Sequence, residues 1–460
     1  MWLSLQGISK LPDEIISYIM EFVHDSYVPW QVEYHAMPFT IPDSNHVYEM
    51  GRAVSDLSCV SRRFRRIALC STYLWSKILV QRGFPCELFI KRSGDAPLYV
   101  TYDFPIDRTQ HTIVHEHRKR WKTLDVCHPK LRLWNTFSQD ELVFPALESL
   151  AVRSYGRFRR LDIPWKTPVL KHLVTDYCLM HISMAANLVS LCIYLEMEDA
   201  GTTLGDTKRD LIAFLTECKV LKTLDLTWWR EYYCSHQERH DAYQWANDFG
   251  RVQQPFVLPS LESLHLNHTR AYNPAFGACL NGIKIPMLNE LSITGKFDDS
   301  VSDDFSVVDL LGDIRLLDGV RLLRLDVGYA DRKNNKHRRK PFEIPFEYIE
   351  QHMPRLSELT LGPTEANLRQ LQNCQLSSLR SLWLEDSDSI MDDILKFVKN
   401  RKIYDGNDGK AVPFTLKAPL REMKENIGRH YDDIVHAIED NLLICHFYID
   451  ERDKRLFRKY

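Results

Sequence analysis

Histidine and cysteine side chains are the groups in this sequence that could bind a metal ion or act as nucleophiles. His111, His115 and His117 lie close together, but no carboxylate or cysteine joins them at the spacing of a metal site. We therefore interpret them as one solvated face of a helix. The 11 cysteines form no CxxC pair, which argues against a zinc cluster and against a secreted disulfide framework. Reduced cysteines in the cytosol or nucleus are the expected state.

The short motifs of common enzymes do not occur in the chain. It contains no GxxxxGK[ST] or GxGxxG phosphate loop, no GxSxG nucleophile elbow and no HExxH zinc helix. Cysteines such as Cys192 fall inside predicted strands, where a small apolar residue is expected, and nothing marks one of them as a nucleophile. We therefore expect a protein that has no catalytic residues and needs no cofactor or metal ion.

Positive and negative charges are nearly balanced. The 59 Lys and Arg residues and 62 Asp and Glu residues leave a formal net charge of −3, which gives no overall attraction to nucleic acid or to a membrane. Residues 332–340 have the basic sequence RKNNKHRRK, which fits a nuclear address as well as a solvated loop. No stretch of about 18 apolar residues occurs, and no basic residue precedes the apolar start, so we expect neither export nor a membrane-spanning segment.

Length and composition limit the classes of fold. The chain has 460 residues, of which 44% are apolar and 26% are charged. This composition is typical of folded globular proteins, and the length exceeds what one compact core usually contains. Two to four domains or one elongated repeat structure are therefore expected.

The segment LPDEIISYIMEFV, which starts at Leu11, carries consistent signals for a helix. Pro12 suits the first helical position, and two acidic residues follow it at the positive end of the helix dipole. Two apolar stripes of helical spacing run along the segment: Ile15, Ile19 and Phe22 in one, and Ile16, Met20 and Val23 in the other. A helix buried in its own domain and a helix that keeps one stripe for a partner both fit this pattern.

Residues 53–78, with the sequence AVSDLSCVSRRFRRIALCSTYLWSKI, predict a second helical region. Apolar residues trace one helical face and arginines the other, and a Leu-Trp pair ends the unit. Together with the Leu-Pro opening, these motifs resemble an F-box, in particular the F-box-like domain common in fungal proteins. Ser61 and Phe64 stand where that family often has Cys and Trp, and residues 24–52 make the first loop far longer than usual.

The resemblance to the F-box implies a helical domain over residues 1–80 that docks on a Skp-type adaptor, which links it to a cullin. The residues that it implies for adaptor binding are Leu11, Pro12, Ile15, Ile19, Val60 and Trp75.

An LxxLxL-like template recurs ten times after residue 120. The repeats start at Trp121, Leu147, Leu170, Leu188, Leu221, Leu261, Leu288, Leu322, Leu356 and Leu379. Each repeat predicts a short strand whose leucines point inwards, followed by a connection. The pattern resembles a leucine-rich-repeat horseshoe over residues 121–390, which implies a curved parallel sheet with helices on its convex side. A doubly wound α/β enzyme is the alternative, although its strands are usually continuous apolar runs.

The segments outside the repeats are expected to connect or close the solenoid. Residues 81–120 predict a strand at 96–102 and a helix at 111–120, and residues 391–460 predict a helical cap with a helix at 420–443. Connections between repeats predict helices at 209–218, 305–317, 345–352 and 390–402. The predicted fold class is therefore α/β, with a small helical domain followed by a repeat solenoid.

An aromatic-rich insertion separates the repeats that start at Leu221 and Leu261. Aromatic side chains are enriched at binding hot spots, so we expect a substrate at the start of the insertion and at outward strand positions beside it. The residues predicted to bind substrate are Asp225, Trp228, Trp229, Tyr232, His265 and Trp383. Packing of the insertion against the repeat surface is the alternative.

The two resemblances together imply a non-catalytic substrate receptor of an SCF-type ubiquitin ligase, in the cytoplasm, the nucleus or both. Its F-box would bind the adaptor, and its repeats would bind a protein substrate of unknown identity. The runner-up is a leucine-rich-repeat scaffold outside ubiquitination, whose helical head only caps the solenoid. A GTPase regulator that acts through a loop arginine is a third possibility, for which the sequence offers no candidate residue.

Overall fold

The structure, a computed structural model, covers the chain in separate stretches. It describes residues 10–26, 54–102, 108–127, 142–153, 165–176, 182–196, 204–229, 256–268, 283–297, 317–329, 342–343, 346–361, 366–367, 371, 374, 376–384, 396–398, 413–419, 436–437 and 443–448. The chain divides into two compact units, Met1–Ile193 and Tyr194–Tyr460. Within the described stretches, no helix is both long enough and apolar enough to cross a membrane.

The first unit begins with a helical region. It contains α1 at Asp13–Ser26, α2 at 54–59 and α3 at Arg62–Cys70, followed by a 3-10 helix at Thr72–Trp75. Helix α1 starts one residue later than predicted, because the carbonyl of Pro12 accepts the first helical hydrogen bond from the amide of Ile16. Ser61 caps α3, since its Oγ accepts a hydrogen bond from the amide of Phe64 at 3.1 Å.

A parallel sheet follows this helical region directly. Its strands in the first unit are β1 (Lys77–Val80), β2 (Leu98–Tyr102), β3 (Trp121–Cys127), β4 (Ser149–Arg153), β5 (His172–Asp176) and β6 (Ser190–Glu196), which spans the division. Helix α4 (Cys86–Ser93) connects β1 to β2, and α5 (Arg108–Glu116) connects β2 to β3. The strands pair in chain order. The strand and the helix predicted within residues 81–120 are therefore present, and the strand belongs to the sheet.

The second unit repeats the same parallel arrangement. Its strands are β7 (Thr223–Trp229), β8 (Phe256–Val257), β9 (Ser263–His268), β10 (Ile283–Lys284), β11 (Glu290–Phe297), β12 (Leu322–Tyr329), β13 (Phe342–Glu343), β14 (Glu358–Leu361), β15 (Ala366–Asn367), β16 (Ser381–Leu384), β17 (Phe414–Pro419) and β18 (Leu443–Tyr448). The eight long strands pair in chain order, while β8 pairs with β10 and β13 with β15. The predicted parallel sheet of an α/β protein is thus confirmed, and it is consistent with a repeat solenoid.

In the described part of the second unit, two helices with defined bounds lie in the connections. Helix α6 (Leu204–Glu217) and helix α7 (Phe346–His352) occupy the positions predicted at 209–218 and 345–352. The helices predicted at 305–317, 390–402 and 420–443 lie mainly outside the described residues, although residues 396–398 and 436–437 are helical.

The sheet continues where a helical cap was predicted. Strands β17 and β18 pair with each other, and β17 also pairs with β16, all in parallel. The leucine template missed these strands because residues other than leucine stand at two of its three positions. They are Pro413 and Ala418 in β17 and Cys445 and Phe447 in β18.

Leucines at the middle template position stack on one another across the second unit. The row consists of Leu224, Leu264, Leu291, Leu323, Leu359, Leu382 and Leu416, all buried. This row corrects the register of one repeat. The repeat placed at Leu322 begins at the fully buried Val320, and Leu322 itself is only half-buried. Leucine occupies both 322 and 323, so the sequence fits two registers, and only pairing with the neighbouring strands distinguishes them.

Candidate protein-interaction site

Helix α1 divides its two apolar stripes between the core and the surface. Ile16 and Met20 are buried, whereas Ile15 is 45% exposed and Ile19 is 41% exposed. Ile15 and Ile16 are adjacent in sequence but about 100° apart around a helix, so only one of them can face the same neighbour. The stripe that the sequence analysis assigned to a partner is therefore the one left at the surface.

Two aromatic residues extend this exposed surface. Tyr18 and Phe22 are more exposed than the two isoleucines and lie one helical turn from them. We name the four residues Ile15, Tyr18, Ile19 and Phe22 the apolar stripe of α1. Tyr18 and Phe22 were both missing from the predicted contacts, although each follows one of the two isoleucines by three residues, a spacing that would have indicated them.

Arginines of α3 hold the turn that precedes α1. The guanidinium of Arg63 donates to the carbonyl of Leu11 at 2.5 Å and to Asp13 Oδ1 at 2.6 Å, and Arg66 donates to Asp13 Oδ2 at 2.6 Å. The hydrogen bond from Arg63 is the main cause that keeps the pKa of Asp13 below its usual value. Leu11 is half-buried, and Pro12 is exposed beside it. The two arginines, which lie on the helical face opposite the apolar residues in the sequence pattern, therefore position the Leu-Pro turn.

A second contact fixes the other end of α1. Ser71, which follows α3, donates a hydrogen bond to Glu21 Oε1 at 3.1 Å. Val60, the predicted contact from the second helical region, is exposed just before α3. Because α3 holds α1 near both ends, the apolar stripe sits on a fixed helix rather than on a loop.

Trp75, the remaining residue predicted to contact the adaptor, lies in the interior. It is 2% exposed, and its indole Nε1 donates to the carbonyl of Ala68 at 2.7 Å. The ring meets Phe89 edge-on at a centroid distance of 5.0 Å, and the Arg92 guanidinium lies 4.2 Å from the ring centroid. In the isolated chain, Trp75 therefore joins the 3-10 helix to α4.

Three of the six predicted substrate residues, Asp225, His265 and Trp383, lie on the face of the second unit's strands opposite the leucines. Outward side chains form one row across neighbouring strands: Asp225, His265, Ser292, Arg324, Thr360, Trp383 and Lys417. Asp225 and His265 are adjacent in this row, as their strand alternation predicts, but both are buried. The Oδ1 atom of Asp225 accepts hydrogen bonds from Thr227 at 3.0 Å and from Asn267 at 2.9 Å.

Trp383 lies four strands away from His265 and is 40% exposed. The Lys417 Nζ atom stands 5.3 Å from the centroid of its ring. Trp228 and Trp229 end β7, but their side chains, like the whole of Tyr232, lie outside the described residues. The structure thus brings Asp225 and His265 together and separates Trp383 from them.

One of the three clustered histidines belongs to a partly buried polar contact. His111 Nδ1 lies 3.1 Å from the hydroxyl of the buried Tyr102, and its ring lies 5.5 Å from that of His115. Burial, assisted by His115, lowers the pKa of His111 to about 4. Within the described stretches, no group of three or more His, Cys, Asp or Glu side chains is placed to bind a metal ion.

Comparison of the chain with models of known protein families finds no match. Comparison with curated proteins finds none either. The resemblance to F-box and leucine-rich-repeat proteins therefore depends on the sequence motifs. The structure adds an α/β fold with a long parallel sheet, which is consistent with a repeat solenoid.

Proposed function

We propose that this protein is the substrate receptor of an SCF-type ubiquitin ligase. The apolar stripe of α1 docks on a Skp-type adaptor, and the repeat strands hold a protein substrate. The observation that carries the proposal is this stripe, which is exposed on a helix that α3 holds near both ends. It lies beside the Leu11–Pro12 turn, where the F-box resemblance implies adaptor contact.

Apolar burial supplies the driving force for such a complex. Full burial of one Ile or Phe side chain contributes about 1.5–3 kcal/mol. Four adjacent large side chains exposed on one helix face are a surface that isolated soluble proteins usually avoid. A complex of micromolar affinity requires about 8 kcal/mol in total. The stripe can therefore contribute to this free energy together with the adjoining Leu-Pro turn, against the entropy lost on association.

The receptor role requires positioning and no chemistry of its own. In this role the helical region binds the ligase core and the repeats bind the protein to be modified, so the rate gain comes from bringing two reactants together. A chain without an enzyme motif is suited to that task.

The decisive test is co-purification of the full chain with a Skp-type adaptor. We expect the wild-type chain to retain the adaptor and Ile15→Asp to lose it, because the substitution places an unpaired charge in a dry contact. Ile15 is 45% exposed in the isolated chain, so the melting temperature should change little.

The matched control is Leu88→Asp. Leu88 lies on α4, outside the motifs that resemble an F-box, and at 40% exposure it is comparable with Ile15. The Leu88→Asp chain should retain the adaptor. Undiminished capture of the adaptor by a folded Ile15→Asp chain would contradict the proposal.

The second candidate function is a scaffold in which the helical region that ends at Trp75, the helical head, only caps the sheet. One observation favours it. Trp75 packs on α4, and β1 begins two residues later, so the head is continuous with the first strands. A scaffold outside ubiquitination would use the head only in this way. Failure of the wild-type chain to retain any Skp-type adaptor would support this candidate over the receptor.

A further inference from the structure

The outward row of the second unit is buried on its first strands and accessible to solvent on later ones. On β7, β9 and β11 the residues of the row are buried: Asp225, His265 and Ser292. On β12, β14, β16 and β17 they are half-buried or exposed: Arg324, Thr360, Trp383 and Lys417. We name these last four residues the open strip. Since a protein ligand can contact only accessible side chains, the open strip is the part of the row that is available to it.

The centre of the open strip combines an apolar ring with a cation. Leu382 and Leu384 are fully buried on either side of Trp383 along β16, so the indole stands on the opposite face. Thr360 and Lys417 are its direct neighbours on β14 and β17. Lys417 Nζ lies 5.3 Å from the ring centroid, which holds an ammonium group beside an exposed aromatic surface.

A second cation marks the other end of the open strip. Arg324 is three strands from Lys417 in the row. Neighbouring strands lie about 4.8 Å apart, so the backbones at these two positions are about 14 Å apart. An extended peptide advances about 3.4 Å per residue, which places side chains i and i+4 of one face at about the same separation. Side chain i+2 then lies over Thr360 and Trp383.

We propose that the open strip binds an extended segment of the substrate that carries two acidic residues four positions apart and an apolar residue midway between them. The inference rests on the proposed function, because it names the class of substrate that the receptor would hold. Arg324 and Lys417 bind the two carboxylates, and Trp383 binds the apolar side chain. Asp326 and Glu358 flank the open strip on β12 and β14. These two carboxylates repel further acidic residues of the substrate on either side of the open strip.

The test measures binding of synthetic peptides to the full chain by fluorescence anisotropy. The probe is the labelled peptide Gly-Glu-Ala-Leu-Ala-Glu-Gly, compared with one in which both Glu are Lys and one in which Leu is Ser. We expect the acidic peptide to bind at least about tenfold more tightly than either. Its affinity should fall as salt is raised. Equal binding of the three peptides, tighter binding of the lysine peptide or no binding would overturn the proposal.

Variants then locate the bound peptide. Trp383→Ala and Lys417→Glu should each weaken binding about tenfold, while Lys284→Glu, an exposed cation on β10, should leave it unchanged. The double variant Arg324→Glu/Lys417→Glu should prefer the lysine peptide. An unchanged preference in the double variant, with an unchanged melting temperature, would overturn the assignment.

Adaptor co-purification separates this inference from the proposed function. Trp383→Ala should still retain the adaptor, since Trp383 lies outside the helical region. Peptide binding without any adaptor capture would contradict the receptor role and leave the open strip as the ligand site of a scaffold. Adaptor capture without peptide binding would overturn the open strip alone.

Discussion

Trp75 and Trp383 have the same side chain in opposite environments. Trp75 is buried between the 3-10 helix and α4, whereas Trp383 is 40% exposed on β16. We expect Trp75→Ala to lower the free energy of unfolding by about 3–5 kcal/mol, because it leaves a cavity and removes the hydrogen bond to Ala68. Trp383→Ala should cost less than about 1 kcal/mol. Urea denaturation of the two variants checks this, and equal losses would contradict the assignment.

His111 makes the stability of the first unit depend on pH. Its pKa falls from about 6.5 in the unfolded chain to about 4 in the folded protein, chiefly through burial. The unfolded chain therefore binds a proton that the folded protein resists, and the free energy of unfolding decreases as pH drops from about 6.5 towards 4. His111→Gln, which keeps an acceptor for the Tyr102 hydroxyl, should flatten this dependence. Melting curves from pH 7 to pH 4 test it, and a slope equal to that of the wild type would contradict it.

At the scale of single elements, the corrected register of β12 makes a direct prediction. Val320→Ala removes two buried methyl groups and should cost about 2 kcal/mol of unfolding free energy. Leu322→Ala affects a half-buried side chain of the outward face and should cost less than about 1 kcal/mol. Chemical denaturation measures both variants. A larger loss for Leu322→Ala would restore the register first predicted from the sequence.

The sequence predicts strand register best where the spacing of its leucines fits only one register. Nine of the ten repeats were placed in the right register, and only the double leucine at 322 and 323 allowed an error. Short strands ahead of the repeats were missed. Apolar and polar residues alternate as in a strand at Ile283, Lys284 and Ile285, whereas Phe256, Val257 and Leu258 are all apolar.

Periodicity identifies the faces of a helix or strand, but it does not predict which face another part of the protein covers. The two apolar stripes of α1 have the same spacing. Which of them is buried depends on the position of α3, and the hydrogen bond between Arg63 and Asp13, which are far apart in sequence, helps to fix that position. Likewise, strand alternation predicted that Asp225 and His265 face outwards, but not that they are buried there. Both outcomes depend on long-range packing that a local pattern does not encode.

At the scale of the whole molecule, contacts cross the boundary that the motifs suggested at residue 80. Strand β1 pairs with β2, so that Lys77 lies opposite Tyr99, and the Tyr73 ring lies 6.2 Å from that of Tyr99. Trp75 packs on Phe89 in the same way. A cut at residue 80 would therefore remove the partners of β1 and expose buried aromatic side chains to water.

Two fragments of the chain test this continuity. We expect residues 1–80 alone to show no cooperative melting, because β1 has lost its partner and Trp75 its packing. Residues 1–196 retain the helical region and all strands of the first unit up to β6, so they should melt in one cooperative transition and keep the adaptor. Circular dichroism melting and adaptor capture are the two measurements. A fragment of residues 1–80 that melts cooperatively and binds the adaptor would show that the helical region is a separate domain, as the motifs first indicated.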